Sequence, residues 1–592
     1  MINALCECYD RLLADKSSGV SRPGYSRAKV SFALSLSRTG ELLGVIDLRI
    51  EKGKKLVSRV MNVPEQAKRA VNVVANFLCD NSKYVLGLDQ KDKKERVIKA
   101  HEAFIQLHEE IFQGVKDEGA ASVLNFLRNW DVKNAGSHPE IVEVLDGLSE
   151  GGNLVFRLEG TDGYIHESSE VMQAWSKYHL GQSSGFISQC LITGQVLPIA
   201  RLHPSIKGVT GAQPMGASLV SFNLDAFTSY GKTQSYNAPI SENAAFKYTT
   251  ALNWLISNEK YRMRIGDTTT VFWAERSTDG LEEDLLGALF FPANEHADKG
   301  EDDPWHVVRD TQTVKLVHDI FNRVRKGELI NKELTGVDRD AKFYILGLAP
   351  NASRLSVRFW HVENFGHVID KIAQHYEDMR VVKSYVNEPD FISIGTILKE
   401  AAPLGDTKRI SPLLGGVVMR SILNGIPYPQ TLFTSILSRI RADQTVNYVR
   451  ASIIKACLVR NHRYNDKERE ADITMALDEQ NISIGYRLGR LFALLEKAQT
   501  DANPGLNATI KDRYFGSASA TPRSVFPILL RLTQHHIAKA EYGRNIDKRI
   551  EEVVGEIENF PAHLNLEKQG LFVLGYYHQR KALYTKNELK EV

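Results

Sequence analysis

The spacing of apolar residues changes character once along this chain, and that change limits the folds open to it. Up to about residue 364, alternating runs recur: SFALSLSRTGELLGVIDLRI, NLVFRLEG, GASLVSFN, TTTVFWAE and AKFYILGLAPNASRLSVRFWHVEN. Alternation places successive side chains on opposite faces of a strand. From about residue 390 the strand signal fades. ISIGTILKEA, LGGVVMRSILNG, QTLFTSILSRIRA, ASIIKACLVRN, IGYRLGRLFALLEKAQ, SVFPILLRLTQHHIAKA and DKRIEEVVGEIE instead carry apolar residues three and four apart. That is helical spacing. The pattern predicts an α+β chain: an N-terminal mixed α/β body with antiparallel strands, then a C-terminal all-helical bundle. At 592 residues the chain is too long for one compact core. Its texture divides it into residues 1–150, 151–389, 390–474 and 475–592.

Within the first segment, residues 1–22 read as a helix and 27–60 as a hairpin or short meander turning at Arg38-Thr39-Gly40. A basic tip follows at Glu51-Lys52-Gly53-Lys54-Lys55. Pro64 suits the first turn of a helix running toward Gly87. On that helix Lys68, Asn72 and Asn76 lie four apart on one face. Asparagine is a mediocre helix former, so two in register need a reason. Either they hydrogen-bond neighbouring loops, or their amides read base edges in a DNA groove. A second basic feature runs from Tyr428 to Arg463. Arg439, Arg441, Arg450, Lys455, Arg460 and Arg463 face a single acid there, Asp443. A solvated helix face is the ordinary reading of such a run; its arginine content favours contact with a nucleic-acid backbone.

The usual signs of catalysis fail one by one. Gly231-Lys232-Thr233 resembles the end of a phosphate-binding loop, but Ala226 stands where the first glycine belongs. The sequence behind it, Gln-Ser-Tyr-Asn-Ala-Pro, is a poor helix start. Tyr230, Gln234, Tyr236 and Asn237 suggest an ordered, hydrogen-bonding loop instead. No Gly-x-Ser-x-Gly elbow occurs. His535 and His536 are adjacent on a predicted helix and point apart. Glu301-Asp302-Asp303 fits a solvated loop better than a cation site. Five scattered cysteines suit a reducing compartment, and Cys6 and Cys8 have no zinc partners at the right spacing. No catalytic residue, metal ligand or cofactor is expected. The alternative is a metal-dependent nuclease whose ligands come from distant segments. With 43% hydrophobic and 25% charged residues, a net charge of +2 and no membrane-spanning apolar run, the chain reads as soluble and cytoplasmic.

Longer blocks are more specific than any of these motifs. NFLCDNSKYVLGLD is one. Another runs from LITGQVLPIARLHPSIKGVTGAQPMGASLVSFNLDAFTSYGKTQSYNAPISENAAFKYTTALN to TTTVFWAE. YILGLAPNASRLSVRFW, RLGRLFALLEKAQ, RYFGSASATPRSVFPILLRL and LGYYHQR complete the set. Together, over about residues 1–590, they resemble the large subunit of the type I-C CRISPR interference complex, Cascade (the Cas-eight family, Csd-type branch). The resemblance implies a non-catalytic subunit at the crRNA 5′ handle, alongside the Cascade backbone and crRNA-handle subunits and a small subunit. It implies reading of the protospacer-adjacent motif (PAM) on double-stranded DNA, help in opening the duplex, support of the displaced strand, and recruitment of a helicase–nuclease. It assigns PAM reading to the N-terminal part. Asn72 and Asn76 are then the candidates for base edges, and Lys52, Lys54, Lys55, Lys68 and Lys83 for phosphates. The arginine-rich stretch falls to crRNA or displaced-strand backbone. In type I-C systems the small subunit arises from an internal start within this gene. Met475, after the polar linker Asn465–Glu470, is well placed for it.

Overall fold

The computed structural model describes residues 1–52, 55–67, 73–89, 92–149, 151–181, 186–276, 281–291, 311–325, 336–541 and 543–584. The chain divides into two compact units. One comprises Met1–Ile206 with Ser218–Trp254; the other comprises Lys207–Ala217 with Leu255–Val592.

The first unit opens on the amphipathic helix α1 (Ile2–Ala14), which buries Leu5, Tyr9 and Leu12. Its sheet is organised by β1 (Tyr25–Leu36), which is long enough to serve several partners. The C-terminal half pairs antiparallel with β2 (Leu42–Asp47) around the predicted Arg38–Gly40 turn. Between β2 and the next partner lies a small hairpin, β3 (Ile50–Lys52) and β4 (Lys55–Val57). The chain then returns as β5 (Arg59–Pro64), antiparallel to the N-terminal half of β1. β6 (Asp80–Asn81) and the short helix α2 (Ser82–Val85) follow. After α3 (Lys94–Ile111) and α4 (Glu118–Asn129), β7 (Asn153–Leu158) runs parallel to β1 and also pairs with β6. Phe32, Leu34, Leu36, Leu154 and Phe156 pack with Phe104 of α3 and Phe126 of α4 in one core. Val30, Ala33, Val63 and Val155 form a second, smaller cluster. Helix α5 (Ser169–Gly181), the hairpin β8 (Ile187–Gln189) and β9 (Val196–Pro198), and α6 (Glu242–Ser257) follow.

Two expectations for this part are corrected. GASLVSFN, residues 216–223, makes no strand ladder: Ala217 and Ser218 form isolated bridges only, and Leu219 and Val220 lie in a bend. The helix expected from Pro64 to Gly87 is not found at the described residues before Ser82 either. Pro64 ends β5, and residues 73–79 are irregular. Short polar side chains hold this loop by bonding its backbone. The Asn76 Oδ1 accepts from the Ala67 N–H at 2.9 Å, and its Nδ2 donates to the Gln66 Oε1 at 2.9 Å. The Asp80 carboxylate accepts from the N–H groups of Asn76 and Asn81, each at 2.8 Å. Leu78 is left-handed at φ 52°, and its N–H donates to the His108 Nε2 at 2.9 Å. Burial pushes the His108 pKa down to about 4, so the ring is neutral and its Nε2 can accept. Asparagine and aspartate compete with helical hydrogen bonding in just this way.

The second unit carries a four-stranded antiparallel sheet in the order β10 (Arg262–Ile265), β11 (Thr268–Ala274), β12 (Lys342–Asn351), β13 (Arg354–Asn364). α7 (Leu281–Phe290) and α8 (Thr311–Arg325) lie between β11 and β12 in sequence, and α9 (Phe365–Met379) follows β13 directly. Thereafter the described chain is helical: α10 (Ile394–Ala401), α11 (Leu414–Asn424), α12 (Gln430–Asp443), α13 (Tyr448–Asn465), α14 (Ile484–Ala502), α15 (Ile510–Ala520), α16 (Pro522–Ile537), α17 (Gly543–Gly555) and α18 (Leu566–Tyr584). One hydrophobic core runs from Met263 of β10 to Tyr577 of α18. The α+β class read from the sequence is therefore the class of the structure.

α14 and α18 pack backbone to backbone, and glycines permit it. A Cβ on Gly489 would lie 2.1 Å from the Phe572 carbonyl oxygen, and one on Gly575 would lie 2.1 Å from that of Tyr486. Alanine raises intrinsic helix propensity by ~1 kcal/mol, but overpacking a tight contact costs more. Gly489→Ala should therefore lower stability by roughly 1–3 kcal/mol in thermal or urea unfolding. Gly555→Ala, whose Cβ would meet nothing within 4 Å, should be neutral or stabilising.

Candidate nucleic-acid interface

The N-terminal candidates separate into three groups. Lys52 and Lys55 are register partners across β3 and β4, at the closed end of that hairpin. Lys54, Lys68 and Asn72 lie outside the described residues. Asn76 and Lys83 have internal partners. Asn76 is 5% exposed, and both ends of its amide are occupied by Ala67 and Gln66. It shapes the loop and has no free edge to offer a base. Lys83 is hydrogen-bonded to Asp92, a contact that also holds the Asp92 carboxyl below its usual range. Asn76 lies in an irregular segment, residues 73–79, so the amide stripe inferred from helical spacing does not extend to it.

The arginine-rich stretch falls on α12 and α13, and its cations point mostly inward. Arg460 and Asp378 are each 1% exposed and bonded at 2.8 Å. Arg463 reaches the same carboxylate at 2.6 Å and also binds Glu470 at 2.7 Å. Arg460 further donates to the carbonyls of Ser421 at 2.9 Å and Ile426 at 3.1 Å. Its guanidinium lies over the Tyr428 ring, 4.5 Å from the centroid. Lys455 donates to the Asp378 carbonyl at 3.0 Å. Arg450 bonds Glu400 at 2.8 Å and Asp443 at 2.6 Å. Arg439 pairs with Asp443, and Arg441 with Gln569. The six cations do not form one solvent-facing basic surface. Their counter-charges, Asp378, Glu400 and Glu470, lie outside the 428–463 window, so a local charge count missed them. Contact between residues some 80 apart has no signature in local spacing.

The electrostatics follow from this burial. Desolvation pushes the Asp378 pKa up, but the Arg463 and Arg460 guanidiniums more than offset it and hold it below the usual value. Desolvation also lowers the Lys455 pKa, to about 8, against partial support from Asp378 and Glu377. Among the described residues, no group of three or more His, Cys, Asp or Glu is placed to hold a metal ion. Glu301, Asp302 and Asp303 lie outside the described residues. No described helix is long and apolar enough to cross a membrane.

The Gly231-Lys232-Thr233 stretch is part of a tight turn rather than a phosphate cradle. The Lys232 N–H donates to the Ser229 carbonyl at 2.9 Å, and residues 234–237 form a single 3₁₀ turn. The next α-helix starts only at Glu242. The loop is held by its own side chains. Asn237 accepts from the Ser229 N–H at 2.9 Å and donates to the carbonyls of Lys232 and Gln234 at 2.8 and 2.9 Å.

Comparison with known families accounts for the long sequence blocks. The family described as CRISPR-associated protein (Cas_Csd1) matches residues 5–584, nearly the whole chain. The chain belongs to this family. It is thus a Cascade-type CRISPR component of the type I-C large-subunit class. No curated protein matches it.

Lys455 supplies a pH test of the buried network. A lysine whose folded pKa is about 8 loses its proton before the unfolded chain does, whose value is 10.5. Between those values the unfolded state binds more protons, so this residue's contribution to stability rises with pH. Unfolding free energies of wild type and Lys455→Met should diverge in favour of wild type between pH 7.5 and 9.5, by roughly 1–2 kcal/mol. Parallel pH profiles would show a solvated lysine.

Proposed function

We propose that this Cascade component is the non-catalytic subunit that reads the PAM on double-stranded DNA. The observation that carries this reading is the family match over residues 5–584. In this reading, base pairing with the crRNA reads most of the target, and the protein reads a short motif and the duplex around it. The subunit aids duplex opening, supports the displaced strand and helps recruit a helicase–nuclease. It works in the cytoplasm with the Cascade backbone, crRNA-handle and small subunits.

The β3–β4 hairpin is the phosphate-contacting element of this proposal. A two-stranded ribbon ending in paired lysines, Lys52 and Lys55 with Lys54 between, is suited to a backbone groove. Asn72 remains the base-edge candidate, and Asn76 becomes part of the loop's own scaffold. Displaced-strand contact shifts away from the mostly inward-facing Arg439–Arg463 set, in which Arg441 is exposed. The exposed Arg531, His535 and Lys539 along α16 and just beyond it are better placed for it.

Binding of the assembled crRNA complex to duplexes with randomised PAM positions tests the reading. Lys52→Ala with Lys55→Ala should weaken binding to all PAM variants alike and reduce the salt slope by about 1 per lysine. Asn72→Ala should relax choice at one PAM position, by about 1–3 kcal/mol. Omitting the subunit should abolish PAM selectivity. Selectivity that survives its omission would refute the proposal.

Met475 is the proposed internal start. In the full chain its carbonyl accepts from the Val382 N–H at 2.9 Å. The helices that follow pack against those before it: Tyr577 donates to the Val382 carbonyl at 2.7 Å, and a Cβ on Gly570 would clash with Phe433 at 2.7 Å. A fragment from 475 onward would expose that packed face and so require a partner. Expression of the gene in bacteria should give a second, C-terminal product, lost when the Met475 codon is changed. Its persistence would exclude this start.

A further inference from the structure

Among the described large hydrophobic residues of the first unit, Tyr230 is the most exposed. It is 97% exposed. It occupies the left-handed region at φ 50°, and Gly231 beside it does the same at φ 69°. Two consecutive left-handed residues, closed by the Lys232 N–H bond to the Ser229 carbonyl and a Ser229–Lys232 bridge, define a primed two-residue turn. Glycine, asparagine and aspartate favour the first central position of such turns; an aromatic there is strained. Strain persists only where the surroundings impose it.

The surroundings here do impose it. The Asn237 side chain bonds three backbone groups, one on Ser229, one on Lys232 and one on Gln234. Gln234 is itself left-handed at φ 49°, and its Oε1 accepts from the Arg201 Nη1 at 2.7 Å. Ser235 is buried and its N–H donates to the Arg201 carbonyl at 3.3 Å. Tyr236 packs on Phe186, with ring centroids 5.2 Å apart. The base of the loop is thus fixed, while its tip carries a bare ring with a lysine two residues on. Nothing lies within 4 Å of the position a Cβ would take on Gly231. Folding gains nothing from the Tyr230 ring.

We infer that the Tyr230–Lys232 turn is a base-stacking tip that engages an unpaired DNA nucleobase, with Lys232 on the adjoining phosphate. A pre-oriented aromatic face with a neighbouring cation is the arrangement that holds unstacked bases without reading their sequence. The inference rests on the PAM-reading function proposed above. It adds the group that captures a base once the duplex opens.

The test uses the crRNA-loaded complex with Tyr230→Ala, Tyr230→Phe or Asn237→Ala in this subunit. R-loop formation is timed on a closed duplex and on the same target with its PAM-proximal pairs already mismatched. Tyr230→Ala should slow opening of the closed duplex roughly 10–100-fold and leave the pre-opened target within about threefold. Tyr230→Phe should retain the wild-type rate. Asn237→Ala should reproduce part of the loss, because it frees a tip that still carries the ring. With 2-aminopurine next to the PAM, wild type and Tyr230→Phe should quench its fluorescence and Tyr230→Ala should not. Equal opening rates for wild type and Tyr230→Ala, with PAM selectivity intact, would overturn this inference alone. Release of the subunit from the Tyr230→Ala complex would also overturn it, marking the turn as a protein contact. A wild-type complex with no PAM selectivity would take both readings down.

Discussion

A buried carboxylate organises the helical half of this protein. Asp378, at the end of α9, meets two guanidiniums from α13, and Lys455 of the same helix caps its backbone carbonyl. Through Arg460 the network reaches the carbonyls of Ser421 and Ile426; through Arg463 it reaches Glu470. α9, α11, α13 and the segment after α13 are therefore tied to one point. Removing one member of a buried ion pair typically costs about 3–5 kcal/mol, because the partner is left charged in a low dielectric. Such a cluster fixes which packing is allowed more than it adds stability. Arg450, Asp443 and Glu400 repeat the device at the other end of α13.

The first unit uses small polar side chains for the same purpose. Asn76, Asp80 and Gln66 shape one loop, and Asn237 shapes another. Each satisfies backbone groups that no helix or ladder would reach. Irregular loops held this way are rigid without being packed. The cost of ordering them is met in folding, so a partner that binds them meets less of it.

The role of a polar residue is harder to read from sequence than an apolar face. Lys68, Asn72 and Asn76 share a face only on a helix, and Asn76 is not on one. The cations between Arg439 and Arg463 meet one acid of their own segment, Asp443, but Asp378 and Glu400 come from elsewhere in the chain. Apolar periodicity is a local consequence of which face is buried. A hydrogen bond or ion pair depends on what lies opposite, and that is a property of the assembled fold.

The sequence by itself determined the α+β class, the Arg38–Gly40 turn, the β12–β13 pair with α9 behind it, and the run of helices from Ile394. It also carried membership of the family, through blocks too long to recur by chance. The tertiary structure decided the rest. It turned Asn76 inward, buried Arg460 against Asp378, broke the expected helix after Pro64, and left Tyr230 bare on a strained turn. Periodicity survives in a one-dimensional pattern because burial is averaged over a whole face. The fate of a single polar side chain is settled by one partner at hydrogen-bonding distance, and only folding brings that partner there.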